Sequence, residues 1–223
     1  MENKRNFWRD NGLSLVMFGF FAVFLIGQSI VGWHDYNDEQ QSHHQAALSL
    51  GAYLVSGPYW AAVFENWESE FLQMGAYVVL TAYLFQRGSS ESKDPDEDSP
   101  SDEDPRGHSD DPNAPSPVKR GGKQLKVYEN SLALALFGLF FLSFIGHSWG
   151  SMIAFNEDQR EHGEKAVSYL QYLVSSRLWF ESLQNWQSEF LAVFTLAVLS
   201  IKLRQKGSPE SKPVAAPHDQ TGD

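Results

Sequence analysis

The sequence predicts an all-α membrane protein: four transmembrane helices in two tandem two-helix repeats of parallel orientation, with short amphipathic helices on the outer side. Three observations predict it. Residues 13–33, LSLVMFGFFAVFLIGQSIVGW, and residues 132–152 are both free of Asp, Glu, Lys and Arg over 21 positions. At 1.5 Å per residue such a helix covers a hydrocarbon core of about 30 Å. Laid on itself with a shift of 119, the chain matches without gaps from 8–93 to 127–212, with 34 of 86 positions identical, the mark of an internal duplication. Lysine and arginine, finally, gather on one side of the apolar segments.

Whole-chain composition points the other way and misleads. A formal charge of −11 over 223 residues reflects acidic stretches that dilute the apolar windows, and it is the windows that decide spanning. Cysteine is absent, which excludes disulfides, thiolate catalysis and cysteine-based zinc or iron–sulfur sites. The net negative charge argues against nucleic acid as a partner.

The first repeat is assigned to residues 1–93. Its opening, MENKRNFWRD, is basic like a signal peptide, but the following apolar run is too long for one and GQSIVGWHDYND lacks a small-x-small cleavage site. An uncleaved span over about 13–33 is therefore expected. The loop from His34 to Tyr59 has no Lys or Arg. Within it, Ala47, Leu48, Leu50, Gly51 and Leu54 fall near one helical face, which predicts a short amphipathic helix ending near Gly57 and Pro58. Ala166, Val167, Leu170 and Leu173 repeat the spacing.

A second apolar segment follows in each copy after a shared signature: Trp60, then Asn66, Trp67, Ser69, Glu70, Phe71 and Leu72, matched by Trp179, Asn185, Trp186, Ser188, Glu189, Phe190 and Leu191. These segments reach spanning length over about 67–85 and 186–203 when the preceding turn is included and Lys202 snorkels. Lys4, Arg5 and Arg9 precede the first span, Arg87 and Lys93 follow the second, and the same pattern surrounds 119–212. Both termini and the central linker are thus expected in the cytoplasm. The linker, 94–118, DPDEDSPSDEDPRGHSDDPNAPSPV, and the tail, 213–223, are acidic or polar and read as disordered.

Polar groups near the outer ends of the spans are the candidate functional residues. Gln28 and its counterpart His147, with Asn66, Glu70, Asn185 and Glu189, would lie at similar depth in antiparallel neighbours, and ionisable groups in a bilayer are costly and often functional. Gly19 and Gly27, with Gly138 and Gly146, form small-residue stripes expected to mark helix packing. No metal set, cofactor motif, phosphate loop or nucleophile elbow is found, so no cofactor, metal or catalytic residue is assigned.

The duplicated N-W-x-S-E-F-L block, followed by an apolar helix and Q-[RK]-G-S-x-E-S-K, resembles an uncharacterised family of small bacterial membrane proteins catalogued as a domain of unknown function. The resemblance implies a multi-pass protein of the bacterial cytoplasmic membrane, with no catalytic residue or substrate to carry over. The functional expectation is a non-enzymatic structural or interaction protein of the envelope, with the lipid bilayer and other membrane or envelope proteins as partners. The alternative is a small proton or cation transporter or channel using an intramembrane Glu/His cluster.

Overall fold

The structure, a computed structural model, describes residues 7–222. Lys4 and Arg5, which contribute to the expected orientation, lie outside the described residues. Secondary structure among the described residues is entirely helical: α1 (Phe7–Asp10), α2 (Gly12–Ser42), α3 (Leu50–Tyr53), α4 (Gly57–Tyr83), α5 (Ser116–Arg120), α6 (Gly122–Glu129), α7 (Ser131–Glu161), α8 (Tyr169–Leu173) and α9 (Ser176–Leu199), with two short 3-10 turns between α4 and α5. The chain divides into two compact units. One takes the chain up to Ala62 together with Trp149–Val167, and the other takes Val63–Ser148 and everything from Ser168 onward.

Two helices, α2 and α7, are long and apolar enough to cross a membrane. Both have 31 residues, about 46 Å of helix, so each outruns a bilayer core by several turns. Their bounds differ by 119 at both ends, the shift that aligns the sequence with itself. None of the apolar window of α2 is buried within the chain.

The segments expected as second spans fall largely within helices that start earlier, and these two are not among the helices long and apolar enough to cross a membrane. Helix α4 starts at Gly57 and ends at Tyr83, and α9 runs from Ser176 to Leu199. Pro58, expected to close the preceding helix, instead sits in the first turn of α4, where its missing N–H costs nothing. The α9 start is capped by Ser175, whose side chain accepts from Leu178 N at 3.3 Å. Their N-terminal halves consequently carry Glu65, Glu68, Glu70 and Glu181. The expected outer amphipathic helices shrink to the single turns α3 and α8, because each approach to them is extended backbone pinned by an asparagine. Asn37 Nδ2 donates to Leu48 O at 2.9 Å while its Oδ1 accepts from Leu48 N at 2.8 Å. Asn156 and Val167 form the same pair of bonds at 3.0 and 2.8 Å.

The ends of α2 and α7 repeat the likeness with one difference. After α2 the backbone N–H of Gln45 bonds Gln40 O at 2.8 Å, and after α7 Glu164 N bonds Gln159 O at 2.7 Å, the long bond of a Schellman ending. The residue that must turn left-handed is His44, φ 60°, in one and Gly163, φ 72°, in the other. A side chain in that region costs about 1–2 kcal/mol. His44→Gly is therefore expected to raise the stability of the protein by about 1 kcal/mol, read as a higher thermal unfolding midpoint in detergent.

The Q-[RK]-G-S-x-E-S-K segments also fold alike. In each, a glycine turns left-handed, Gly88 at φ 83° and Gly207 at φ 85°. The later serine hydroxyl accepts from the glutamine backbone, Gln86 N to Ser92 Oγ at 2.8 Å and Gln205 N to Ser211 Oγ at 2.9 Å. The closing lysine collects carbonyls: Lys93 Nζ donates to Ala82 O at the end of α4, and Lys212 Nζ donates to His218 O and Gln220 O. The tail, expected to be disordered, is thereby drawn back onto the chain as far as Gly222, whose N–H donates to Ser89 O at 2.8 Å. Residues 94–117 bury no side chain and form short turns closed by their own Ser99 and Asp104.

Candidate functional site

Charged side chains meet in the interior where α4, α7 and α9 converge, all within the second unit. His147, on α7, is wholly buried, as is Glu68 on α4. His147 Nδ1 lies 2.9 Å from Glu68 Oε2, and the second oxygen of Glu68 accepts from the Trp186 indole N–H at 3.1 Å. One carboxylate thus holds a helix on each side of it. On the other edge of the imidazole, Nε2 stands 3.5 Å from Glu181 Oε2. Neither of those two atoms, both buried, makes a hydrogen bond. Arg177 completes the set by donating through Nε to Glu181 Oε1 at 3.0 Å, one helical turn away. A third carboxyl, Glu65, accepts from Asn185 Nδ2 at 2.6 Å.

Close approach of the helices makes this burial possible. A Cβ on Gly146 would run into the ring of Phe64, and one on Gly75 would touch Leu136 and Phe137 at 3.4 Å. Aromatic rings close the sides: Phe140 meets Trp186 edge-on with centroids 6.1 Å apart, and Phe144 packs on Trp179 at 6.1 Å. Next to His147, the buried Ser148 hydroxyl bonds the Tyr169 hydroxyl at 2.8 Å. Polar atoms held in so dry a setting interact strongly and are costly to leave unpaired.

Only two of the six polar residues singled out from the sequence, His147 and Asn185, belong to this set. Gln28, Asn66 and Glu70 are exposed, and Glu189 is half-buried. The residue that pairs with His147 is Glu68, two positions before Glu70, and two positions on a helix turn a side chain by about 200°. The polar neighbour of Gln28 has a role of its own, since Ser29 Oγ bonds the Tyr59 hydroxyl at 3.0 Å. Of the four glycines, Gly146 lies against Phe64, whereas nothing comes within 4 Å of a Cβ built on Gly19, Gly27 or Gly138.

Glu65, Glu68, Arg177 and Glu181 were not anticipated, yet the duplication marks them. At a shift of 119 their counterparts are Gln184, Gln187, Pro58 and Ala62, and that of His147 is Gln28. Every charged or titratable member of the set therefore occupies a position where the other copy is neutral. Among the described residues no group of three or more His, Asp or Glu side chains is arranged to hold a metal ion.

Acidic residues mark the far ends of α2 and α7 in the first unit. Burial, with the carboxylates of Glu157, Glu161 and Glu39 behind it, holds the Tyr36 phenol above its usual range, and burial raises Glu157 as well. Tyr36 packs against Tyr53 with tilted rings, centroids 5.6 Å apart, and Tyr53 in turn meets Tyr59 edge-on at 5.4 Å.

A family model described as "Domain of unknown function (DUF6766)" matches residues 4–223. No curated protein and no solved structure matches the chain.

Proposed function

The chain belongs to the family described as domain of unknown function DUF6766, and from that premise and the fold we propose that it is a four-span, non-enzymatic protein of the bacterial cytoplasmic membrane. Its two hairpins cross in the same sense, both termini and the central linker face the cytoplasm, and its outer connections dock other membrane or envelope proteins. The two helices long and apolar enough to cross a membrane support the anchoring. The lysines and arginines around 87–93, 119–126 and 202–212 support the orientation. Crossing by α4 and α9 is what puts those basic segments on the same side as the N-terminus.

One observation carries the docking reading: the two Y-L-V-S blocks are built alike and present the same side chain. Tyr53 and Tyr172 are buried at 6% and 0%, while two positions on Val55 and Val174 stand out at 78% and 81% exposed. A buried anchor, an asparagine clamp and a serine cap hold each turn in place, and the apolar side chain is left outside. Ordered backbone with a projecting apolar residue is what a recognition surface requires, because little entropy is lost when a partner covers it. A photo-crosslinking residue placed at Val55 or at Val174 in growing cells is expected to give discrete protein adducts. Adducts with lipid alone would remove the docking role.

A further inference from the structure

Four cations stand together just before α7 with no carboxylate to meet them. Lys119, Arg120, Lys123 and Lys126 are all exposed, and no Asp or Glu lies between them in the chain. The linker that leads into them, 94–117, holds nine acidic residues. Its ion pairs go elsewhere: Asp96 to Arg87, Asp102 to Lys93, Asp104 to Arg106 and Glu103 to His108. Among the described residues no ion pair reaches the four cations. Two of them donate to neutral oxygens instead, Lys119 Nζ to Pro112 O at 2.6 Å and Arg120 to the Gln124 amide oxygen at 3.5 Å. Charge left unbalanced on one short stretch attracts an anion from outside the chain.

An apolar groove runs beside these charges. Gly121 and Gly122, at φ 65° and 60°, let α5 pack on α6, and each of the two helices buries one apolar side chain, Val118 and Leu125. On α6 the side opposite Leu125 carries Lys123 and Val127, with Lys126 on one flank and Tyr128 on the other. Val127 is 59% exposed and Tyr128 46%. With Pro117, Lys123, Gln124 and Ser131 these two line the groove. Its depth follows from the chain: α6 ends at Glu129, α7 begins at Ser131, and the uncharged run of that helix, long and apolar enough to cross a membrane, starts at Leu132. Cations and an apolar wall at the mouth of a span match the phosphate and the first acyl carbons of a lipid. At the shift of 119 the place of Val127 is taken by Trp8, 73% exposed, so the first copy puts an amphipathic ring at the same level.

We propose that residues 117–131 bind an anionic phospholipid, its phosphate against Lys123 and Lys126, with Lys119 and Arg120 adding to the attraction, and its upper acyl chain along Val127 and Tyr128. A headgroup with net negative charge is selected because the ammonium of a zwitterionic lipid would be repelled by the same four cations. Orientation of the chain in the membrane calls for positive charge at this point and not for a groove of apolar side chains beside it. Inorganic phosphate would meet the cations but leave Val127 and Tyr128 in water, so it is the weaker ligand. The proposal rests on the membrane reading through α7 alone. The number and sense of the crossings, tested by labels on the loops, can fail without it, and it is independent of what docks at Val55 and Val174.

The full chain, immobilised in a neutral detergent, is mixed with phosphatidylglycerol or with phosphatidylcholine of the same acyl chains, and the lipid retained after washing is quantified by mass spectrometry. The native protein is expected to retain about tenfold more phosphatidylglycerol at equal lipid concentration, the scale set by one or two cations beside an anionic headgroup. Lys123→Gln together with Lys126→Gln, both exposed and so expected to keep native circular dichroism, is expected to erase the preference. Lys202→Gln together with Lys206→Gln removes the same charge from exposed positions beyond α9 and is expected to leave it in place. Equal retention of the two lipids by the native protein overturns the proposal, as does a preference that survives loss of Lys123 and Lys126 or that falls as far with Lys202 and Lys206. Release of the lipid by inorganic phosphate beyond that caused by chloride at equal ionic strength would make this a phosphate site and overturn it too.

Discussion

Glu68→Ala is expected to destabilise the protein by about 3 to 5 kcal/mol, the cost of breaking a buried ionic pair from one side. Glu68 is fully buried and receives the His147 ring N–H and the Trp186 indole N–H on separate oxygens at 2.9 and 3.1 Å. Truncation strands both donors in an interior with no replacement acceptor on α4, since Glu65 is engaged with Asn185. Glu68→Gln keeps one acceptor oxygen and the side-chain volume, so about 1 to 2 kcal/mol is expected for that variant. The check is the thermal unfolding midpoint of purified protein in mild detergent, followed by circular dichroism. An alanine variant as stable as the glutamine one would mean that Glu68 does not tie α4 to α7 and α9.

Gly150→Ala is the second large effect, expected to cost about 1 to 3 kcal/mol through overpacking. A Cβ on Gly150 would lie 2.7 Å from Ala61 N and 2.9 Å from Gly57 O, and backbone atoms cannot step aside as a side-chain tip can. Those contacts are where the first turns of α4 meet α7. The counterpart of Gly150 is Val31, 68% exposed, so the same helical position in the other copy tolerates a branched side chain. Gly27→Ala is the control: nothing lies within 4 Å of the added atom, and alanine's higher helix propensity should leave the variant at least as stable as the parent. Equal losses for both would show that helix propensity, rather than the α4–α7 approach, sets the outcome.

The large elements were legible because two signals agree on them. The uncharged run 13–33 and its echo predict α2 and α7, and the shift of 119 that aligns the copies also aligns the bounds of those helices. Less legible was where α4 and α9 begin. Gly57 and Pro58 suit a turn as well as a helix start, and the charged residues from Glu65 onward hid ten residues of helix in front of the apolar segment. The single turns α3 and α8 were overestimated because periodic Ala, Leu and Val over 45–56 look the same whether helical or pinned in extended form by Asn37.

The interior site was half legible, and the reason lies in the duplication. Residues shared by both copies, such as Asn66 with Asn185 and Glu70 with Glu189, drew the expectation of a cluster. Of these four, Asn66 and Glu70 are exposed and Glu189 is half-buried, and only Asn185 turns inward to donate to Glu65. The titratable members of the buried set come instead from unshared positions, where Gln28, Gln184, Gln187 and Ala62 stand opposite His147, Glu65, Glu68 and Glu181. The copies share the bounds of their long helices and differ in charge at these buried positions. A comparison of charge differences between the copies points to this site where a comparison of identities does not.

The central proposal is that α2, α4, α7 and α9 all cross the bilayer, so that each copy is a complete hairpin. The natural chain has no cysteine, and Ser42 and Ser101 are both exposed, one after α2 and the other beyond α4. Single cysteines at these positions are to be tested in intact bacteria with a membrane-impermeant maleimide. Hairpin crossing predicts that the cysteine at Ser42 reacts from outside and the one at Ser101 only after the cells are opened. Reaction of both from outside would contradict it.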